Sequence, residues 1–329
     1  MPSGGLIAMG NARNIVRDIA AGLLGHTWDQ IRFLRSVRGR YSVVVAVGDV
    51  YALLLALRCA APAVYVGTAK SVYVAKYGHM EVRTLRRARA VFVRDADTAR
   101  DLRARNVDAE APGNVIVDLF SDTSPCVSAF DPQLALFPGS RRRAYRDAVF
   151  LCGIVRDLSR SRKTLGAHLS ISPSLDPQTF AETLACDGWS VRAEERDPNV
   201  PFSLYEGTRA IVSAWCGPLG ALLARSTVVL GQAGTANEAA SAAGVPVIAF
   251  EPPGETKKSW YRMRQARLLG DGLLVVRGGK TEAVSAVSTL LDDEARRARM
   301  GAAGRARMGG AGGSRAIAHR IAALAGAGV

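Results

Sequence analysis

Residues 231–255, GQAGTANEAASAAGVPVIAFEPPGE, constrain the chain more than any other stretch. The apolar run at 227–230 reads as a buried strand, and a Gly-rich turn follows it. A helix opens near Thr235, and 245–250 reads as a second buried strand. Such a strand–turn–helix–strand is a βαβ unit, whose two strands lie parallel. Gly231 and Gly234 carry no Cβ, so backbone amides there can come close to an anion. The free N–H groups and positive dipole end of the following helix point at the same spot, which makes a phosphate or pyrophosphate seat. Glu238 lies one turn into that helix, where a carboxylate can accept bonds from the hydroxyls of a ribose or sugar. An ordinary βαβ unit without a ligand has the same pattern, so this stretch alone leaves both readings open.

A second turn of the same kind lies at 134–143, LALFPGSRRR. An apolar strand runs into Pro138 and Gly139, then Ser140 and Arg141, then a helix. Gly139 allows the turn, Ser140 can cap the helix, and Arg141 can pair bidentately with phosphate oxygens. Two strand-to-helix turns in one half of the chain favour a nucleotide-type ligand.

The rest of the chain alternates short apolar runs with longer helical patterns. Strands are predicted at 42–47, 63–66, 90–93, 134–137, 168–171, 190–193, 210–213, 227–230, 245–250 and 273–276. Helices are predicted at 12–37, 97–105, 145–160, 177–186, 236–243, 260–269 and 281–291. This rhythm predicts an α/β fold with parallel sheets covered by helices on both faces. Ligands of such sheets sit at the carboxyl ends of the strands, near the switch in strand order. A Ser/Pro/Asp-rich stretch, SDTSPCVSAFDP at 121–132, places a boundary between an N-terminal domain at 1–125 and a C-terminal domain at 126–329.

The chain has 43 Lys and Arg against 29 Asp and Glu, a formal charge of +14. Such a field favours an anionic partner, although Arg scattered along helices is also what an Arg-rich coding bias produces. A helix-turn-helix, zinc or aromatic-rich RNA signature is missing, so no nucleic acid partner is expected. Cys59, Cys126, Cys152, Cys186 and Cys216 lie far apart, as do the four His, so no metal site is expected and reduced thiols are. With no signal-peptide pattern and no apolar run long enough for a bilayer, the expected place is the cytoplasm, with peripheral contact at the membrane face as an alternative.

The two turns carry a family resemblance. Pro138-Gly139-Ser140-Arg141, then Ala233-Gly234-Thr235-Ala236 with Glu238 and Gly244-Val245-Pro246, resemble the signatures of the lipid-A-disaccharide synthase group of GT-B glycosyltransferases. A subfamily described as lipid-A-disaccharide synthase-related is more similar still, through VVVAVGDV at 43–50, YVGTAKS at 65–71 and PGN at 112–114. The resemblance implies two Rossmann-like domains (GT-B) and metal-independent, inverting transfer of a hexosamine-type sugar from a UDP-sugar to a lipid-linked or phosphorylated acceptor. It implies no cofactor beyond the UDP-sugar substrate. Gly231, Gly234, Thr235 and Ala236 would hold the donor diphosphate, Glu238 the ribose, and Ser140 and Arg141 the phosphates from the facing loop. Pro252, Pro253 and Gly254 would shape the sugar or base pocket. Asp49, at the end of the first predicted strand, stands where the base belongs that deprotonates the acceptor hydroxyl; an N-cap of the next helix is the simpler reading. Lys70 is a candidate for acceptor phosphate or, alternatively, a solvated loop lysine.

The sequence departs from the family in three ways. The glutamate stands one residue earlier on its helix, further Arg replaces the acidic residue that often follows PGSR, and the first predicted strand comes only at 42. By analogy the opening βα units are missing, so a shortened N-terminal domain with an exposed sheet edge is expected. In the helix at 12–37, Ile15, Ile19, Leu23, Trp28, Ile31 and Leu34 recur at helical spacing beside Arg13, Arg17, Arg32, Arg35 and Arg38. That stripe packs on its own sheet or lies on an anionic membrane. Two rival functions stay open. One is a UDP-sugar epimerase of the same fold, which needs no lipid acceptor but does need acids and His near the donor, a set that the scattered His79, His168 and His319 do not suggest. The other is a catalytically impaired nucleotide-sugar binder or a basic anion-binding protein.

Overall fold

In the computed structural model, the described residues are 16, 19–68, 70–120, 130–251 and 256–326, the side chains of 256–259 excepted. The chain divides into two compact units, Met1–Pro112 with Arg315–Val329, and Gly113–Ser314. The sequence boundary at 125/126 lies among residues outside the described set.

The first unit is built from short Val- and Ala-rich strands, each followed by a helix. Strand β1 (Val44–Gly48) pairs parallel with β2 (Ala63–Gly67), β2 with β3 (Ala90–Val93), and β3 with β4 (Ala109–Glu110), in the order β1-β2-β3-β4. Helix α1 (Leu23–Ser36) precedes β1, and α2 (Val50–Ala56), α3 (His79–Leu85) and α4 (Ala96–Arg103) connect the strands. Cross-strand partners Ala46, Tyr65, Val91 and Ala109 share one face and pack with Leu53, Leu85 and Leu102 of the three helices. Parallel strands buried this way need no polar face, which is why they read as continuous apolar runs. β1 ends the sheet, and its Val47 is 60 % exposed.

The second unit carries an eight-stranded sheet in the order β12-β11-β10-β5-β6-β9-β8-β7. The strands are β5 (Gln133–Phe137), β6 (Gly166–Ser170), β7 (Ser190–Ala193), β8 (Phe202–Glu206), β9 (Arg209–Trp215), β10 (Val228–Gly231), β11 (Val247–Glu251) and β12 (Leu273–Arg277). Its helices are α5 (Val115–Asp118), α6 (Ala144–Ser161), α7 (Pro177–Cys186), α8 (Leu219–Leu223), α9 (Thr235–Ala243), α10 (Thr256–Leu269), α11 (Lys280–Asp292) and α12 (Glu294–Met308); α13 (Gly313–Leu324) straddles the unit boundary. Seven strands run in one direction, and the reversed β8 pairs antiparallel with both β7 and β9. The parallel sheet thus carries an antiparallel edge. Glu206-Gly207-Thr208 is too short for a crossover, and Gly207 takes the positive φ of 62° that reverses the chain. The core joins Leu136, Leu169, Val212 and Leu230 of the central strands to Leu151, Ile154 and Val155 of α6.

Helix starts follow local chemistry. The Asp49 carboxylate caps α2 by accepting from Tyr51 and Ala52 N–H, Asp95 caps α4 through Thr98 N–H, and Asp176 caps α7, with Pro177 at its first position. Among the described residues no helix is long and apolar enough to cross a membrane.

Candidate functional site

The strand order of the second unit reverses between β5 and β10, since the chain lays β6 and β9 on one side of β5 and returns to lay β10 on the other. At the carboxyl ends of these strands lies a cleft of about 420 Å³, within the usual range for small-molecule sites. Four loops at strand ends line it beside a segment that follows α5, and a bond joins each neighbouring pair of the four. The Gln232 N–H donates to the Phe137 carbonyl at 2.8 Å, which ties the turn after β10 to the end of β5. The Ser174 hydroxyl donates to the Ser140 carbonyl at 3.2 Å, and the Ile171 N–H to the Trp215 carbonyl at 2.9 Å. Behind the loop after β9, the Trp215 indole donates to the Pro218 carbonyl at 3.1 Å.

One wall carries Gly139 and Ser140 after β5, and Ala233, Gly234, Thr235 and Ala236 after β10. Gly139 has φ +112°, and a Cβ added at either Gly139 or Gly234 would meet nothing within 4 Å. Those two glycines keep the backbone bare where the cleft is open. Gly231 does something else. It ends β10 buried, and a Cβ there would lie 2.6 Å from Asn237 Cγ. It makes room for a buried side chain rather than for a ligand. The first amides of α9 have no carbonyl within their helix to bond, so the turn offers donors and a positive dipole end to the cleft.

The opposite wall was not legible as a motif. It comes from Ser170–Pro173 after β6 and Cys216–Gly220 after β9, with Leu119 and Phe120 following α5. The rule that ligands gather at strand carboxyl ends points to the loops after β6 and β9; no local pattern singles out Leu119 or Phe120.

The other sequence candidates are dispersed. Arg141 is exposed and does not line the cleft, and the half-buried Glu238, in the first turn of α9, does not line it either. The neighbouring Arg143 pairs with Asp147 at 3.2 Å. Pro252, Pro253 and Gly254 lie outside the described residues.

Asp49 and Lys70 belong to the first unit. Asp49 is exposed at the carboxyl end of β1, and both of its capping bonds, at 3.0 and 3.3 Å, fall on Oδ1. The Lys70 Nζ donates to both Glu81 oxygens at 2.7 and 2.6 Å. It also lies 5.4 Å from the centre of the Tyr77 ring. The Tyr77 hydroxyl is 3.3 Å from that of Tyr65, which donates to the Gly48 carbonyl at 3.0 Å. Burial, reinforced by the Glu81 charge, pushes the Tyr77 hydroxyl up to about 12, so the pair stays protonated at neutral pH.

His168, on β6, is buried between the rings of Phe130 and Trp215, at 5.5 and 6.0 Å. Burial lowers its pKa to about 4, partly opposed by the Asp197 charge, so the imidazole is neutral. Among the described residues no group of His, Cys, Asp and Glu could hold a metal.

No protein-family model and no curated protein matches the sequence. Solved structures do match. A putative UDP-N-acetylglucosamine 2-epimerase from Listeria monocytogenes is 17% identical, with TM-score 0.58, covering 91% of this chain and 79% of its own. A MnaA–UDP co-structure from S. aureus is 19% identical, with TM-score 0.58, covering 92% and 82%. The UDP-GlcNAc 2-epimerase from Neisseria meningitidis bound to UDP-GlcNAc is 14% identical, with TM-score 0.53, covering 90% and 80%. The chain thus has the two-domain Rossmann-like α/β fold of GT-B type. The same neighbours correct the expected activity. Transfer to a lipid acceptor is overturned, because the structures that match nine-tenths of the chain include UDP-N-acetylglucosamine 2-epimerases.

Proposed function

We propose that the second unit binds a UDP-type nucleotide sugar in its cleft and that the chain is a UDP-sugar epimerase. The observation that carries this reading is the bare-backbone wall at Gly139 and Gly234, beside the start of α9, at the switch point of the sheet. It supplies amides and a dipole for a diphosphate, while the apolar groups of Phe120, Phe137, Ile171 and Leu219 suit a flat base or ribose. The S. aureus neighbour carries UDP and the N. meningitidis neighbour UDP-GlcNAc, which supports a uridine nucleotide as the ligand.

Epimerisation breaks a C–H bond at one stereocentre and remakes it on the other face, so it needs proton acceptors and donors rather than a second substrate. His168 has no such role, for it is a buried, neutral part of the sheet.

The test is calorimetric titration with UDP, followed by proton NMR of UDP-GlcNAc incubated with the chain in deuterium oxide. The expected result is UDP binding, appearance of the 2-epimer and exchange of one sugar C–H for deuterium. Binding without deuterium uptake would remove the epimerase half of the proposal. Absence of UDP binding to the folded chain would remove all of it.

A further inference from the structure

Behind the turn that forms one wall of the cleft lies a half-buried polar network that the sequence motifs do not include. Gln265, on α10, donates through Nε2 to the Ala233 carbonyl at 3.0 Å and the Gly234 carbonyl at 3.3 Å. Its Oε1 accepts from Arg262 Nη1 at 2.9 Å and from Asn237 Nδ2 at 3.2 Å. Asn237 Nδ2 also donates to the Gly231 carbonyl at 3.3 Å. Asn237 is fully buried and Arg262 is 5 % exposed. Arg262 Nη1 and Asn237 Nδ2 can only donate, so they hold the Gln265 amide oxygen on their side. The amide NH₂ must then face the turn. Three side chains thereby fix the carbonyls of residues 231, 233 and 234.

We propose that Gln265 and Asn237 are positioning residues that aim the amides of this turn into the cleft and so set its affinity for a diphosphate. A trans peptide is planar, so the carbonyl of one residue and the N–H of the next point in opposite directions. With the Ala233 and Gly234 carbonyls drawn toward Gln265, the Gly234 and Thr235 N–H groups face away from it, on the side where residues 233–236 line the cleft. Donors fixed before the ligand arrives cost nothing to order on binding, whereas a loose turn loses affinity by the entropy of fixing it. The requirement for glycine at 231 belongs to the same device, because a Cβ there would drive Asn237 out of the network. The inference rests on reading the cleft as a UDP seat.

The experiment compares the full chain with Gln265→Ala and Gln265→Glu by calorimetry with UDP and with uridine, and by amide exchange measured by NMR. Gln265→Glu keeps the size of the side chain and its acceptor for Arg262 and Asn237 but replaces the donor to the turn by a charged oxygen, whereas Gln265→Ala removes the donor without adding charge, so the loss must appear in both. UDP affinity is expected to fall about tenfold in both variants, the equivalent of one ordinary hydrogen bond, with uridine affinity unchanged. Exchange of the Asn237 and Glu238 amides, which donate to the Gly234 carbonyl, is expected to quicken about tenfold while the amides of β5 and β10 keep their protection. Equal losses for UDP and uridine would reduce Gln265 to a general structural role and overturn the proposal, as would unchanged UDP affinity or unchanged exchange. Faster exchange in variants of a chain that binds no UDP would overturn the ligand reading and the affinity role with it, and would leave the clamp as a purely mechanical one.

Discussion

Asn237 occupies the space that a side chain on Gly231 would need, with its Cγ 2.6 Å from where that Cβ would stand. Six residues apart in sequence, they form one packing unit at the end of β10. Gly234, three residues along the same turn, has open space instead. Two glycines of one motif therefore answer to different demands. Gly231→Ala is expected to destabilise the fold by about 1–3 kcal/mol, the cost of forcing a methyl into a packed site. Gly234→Ala, at φ −93°, is expected to change stability by less than about 0.5 kcal/mol. Urea unfolding of the two variants side by side measures the difference; equal losses would show that the turn tolerates or rejects both alike.

Ligand binding supplies the second test. A ligand held only by the native state, present at a hundredfold excess over its Kd, adds about 2.7 kcal/mol of stability. UDP is expected to raise the thermal midpoint of the chain and to leave that of Gly234→Glu unmoved, because a carboxylate would then stand in the cleft. A midpoint that rises equally in both would take the ligand out of this cleft.

His168 makes stability depend on pH. Its imidazole holds a proton in the native state only below about pH 4, whereas in the unfolded chain it titrates near 6.5. The unfolded state therefore binds more protons between those values, and stability is complete above pH 6.5 and falls as the pH drops. The full extent is about 3 kcal/mol. His168→Gln is expected to flatten the pH profile of the unfolding free energy between pH 7 and 4.5. Parallel profiles for the two proteins would mean that His168 titrates normally.

Asp118 closes a latch near the ends of the second unit. Its Oδ1 accepts from Gly312 N–H at 2.6 Å and its Oδ2 from Ser314 N–H at 2.7 Å. Burial alone would raise its pKa, but the Ser314 and Gly312 bonds outweigh that and leave it lowered. The carboxylate thus stabilises the fold above the ordinary carboxylate range, and the contribution fades as pH falls below it. Asp118→Ala is expected to cost about 1–3 kcal/mol at pH 7 and less at pH 3, measured by urea unfolding. A loss independent of pH would assign the effect to packing rather than charge.

The alternation of strands and helices was legible because parallel strands buried on both faces must be apolar throughout. The strand at 90–93 and the helix at 177–186 coincide with those observed. β8 was missed because Phe202–Glu206 joins β9 through a two-residue reversal, which the βαβ rhythm does not contain. In the site, Ser140, Gly234, Thr235 and Ala236 were legible because glycine and small residues at strand ends carry a local signature. Gln265 was not, since its role depends on α10 packing behind a turn more than thirty residues earlier. The activity was misread for a related reason. A shared phosphate seat resembles itself in every family that uses it, whereas the chemistry resides in residues the seat does not specify.

The PGN motif at 112–114 has a consequence of a different kind. A Cβ on Gly113 would lie 2.7 Å from Gly313 N, the Asn114 N–H donates to the Gly310 carbonyl at 3.0 Å, and Asn114 Nδ2 donates to the Met308 carbonyl at 2.9 Å. The first and last segments of the second unit thus touch, two hundred residues apart. A stretch whose ends meet is topologically an insert: it can be excised, grafted between neighbouring residues of a foreign host, or given new termini by joining the old ones through a short linker. Gly113–Ser314 is a module in that sense, and its boundaries are marked by glycine on both sides.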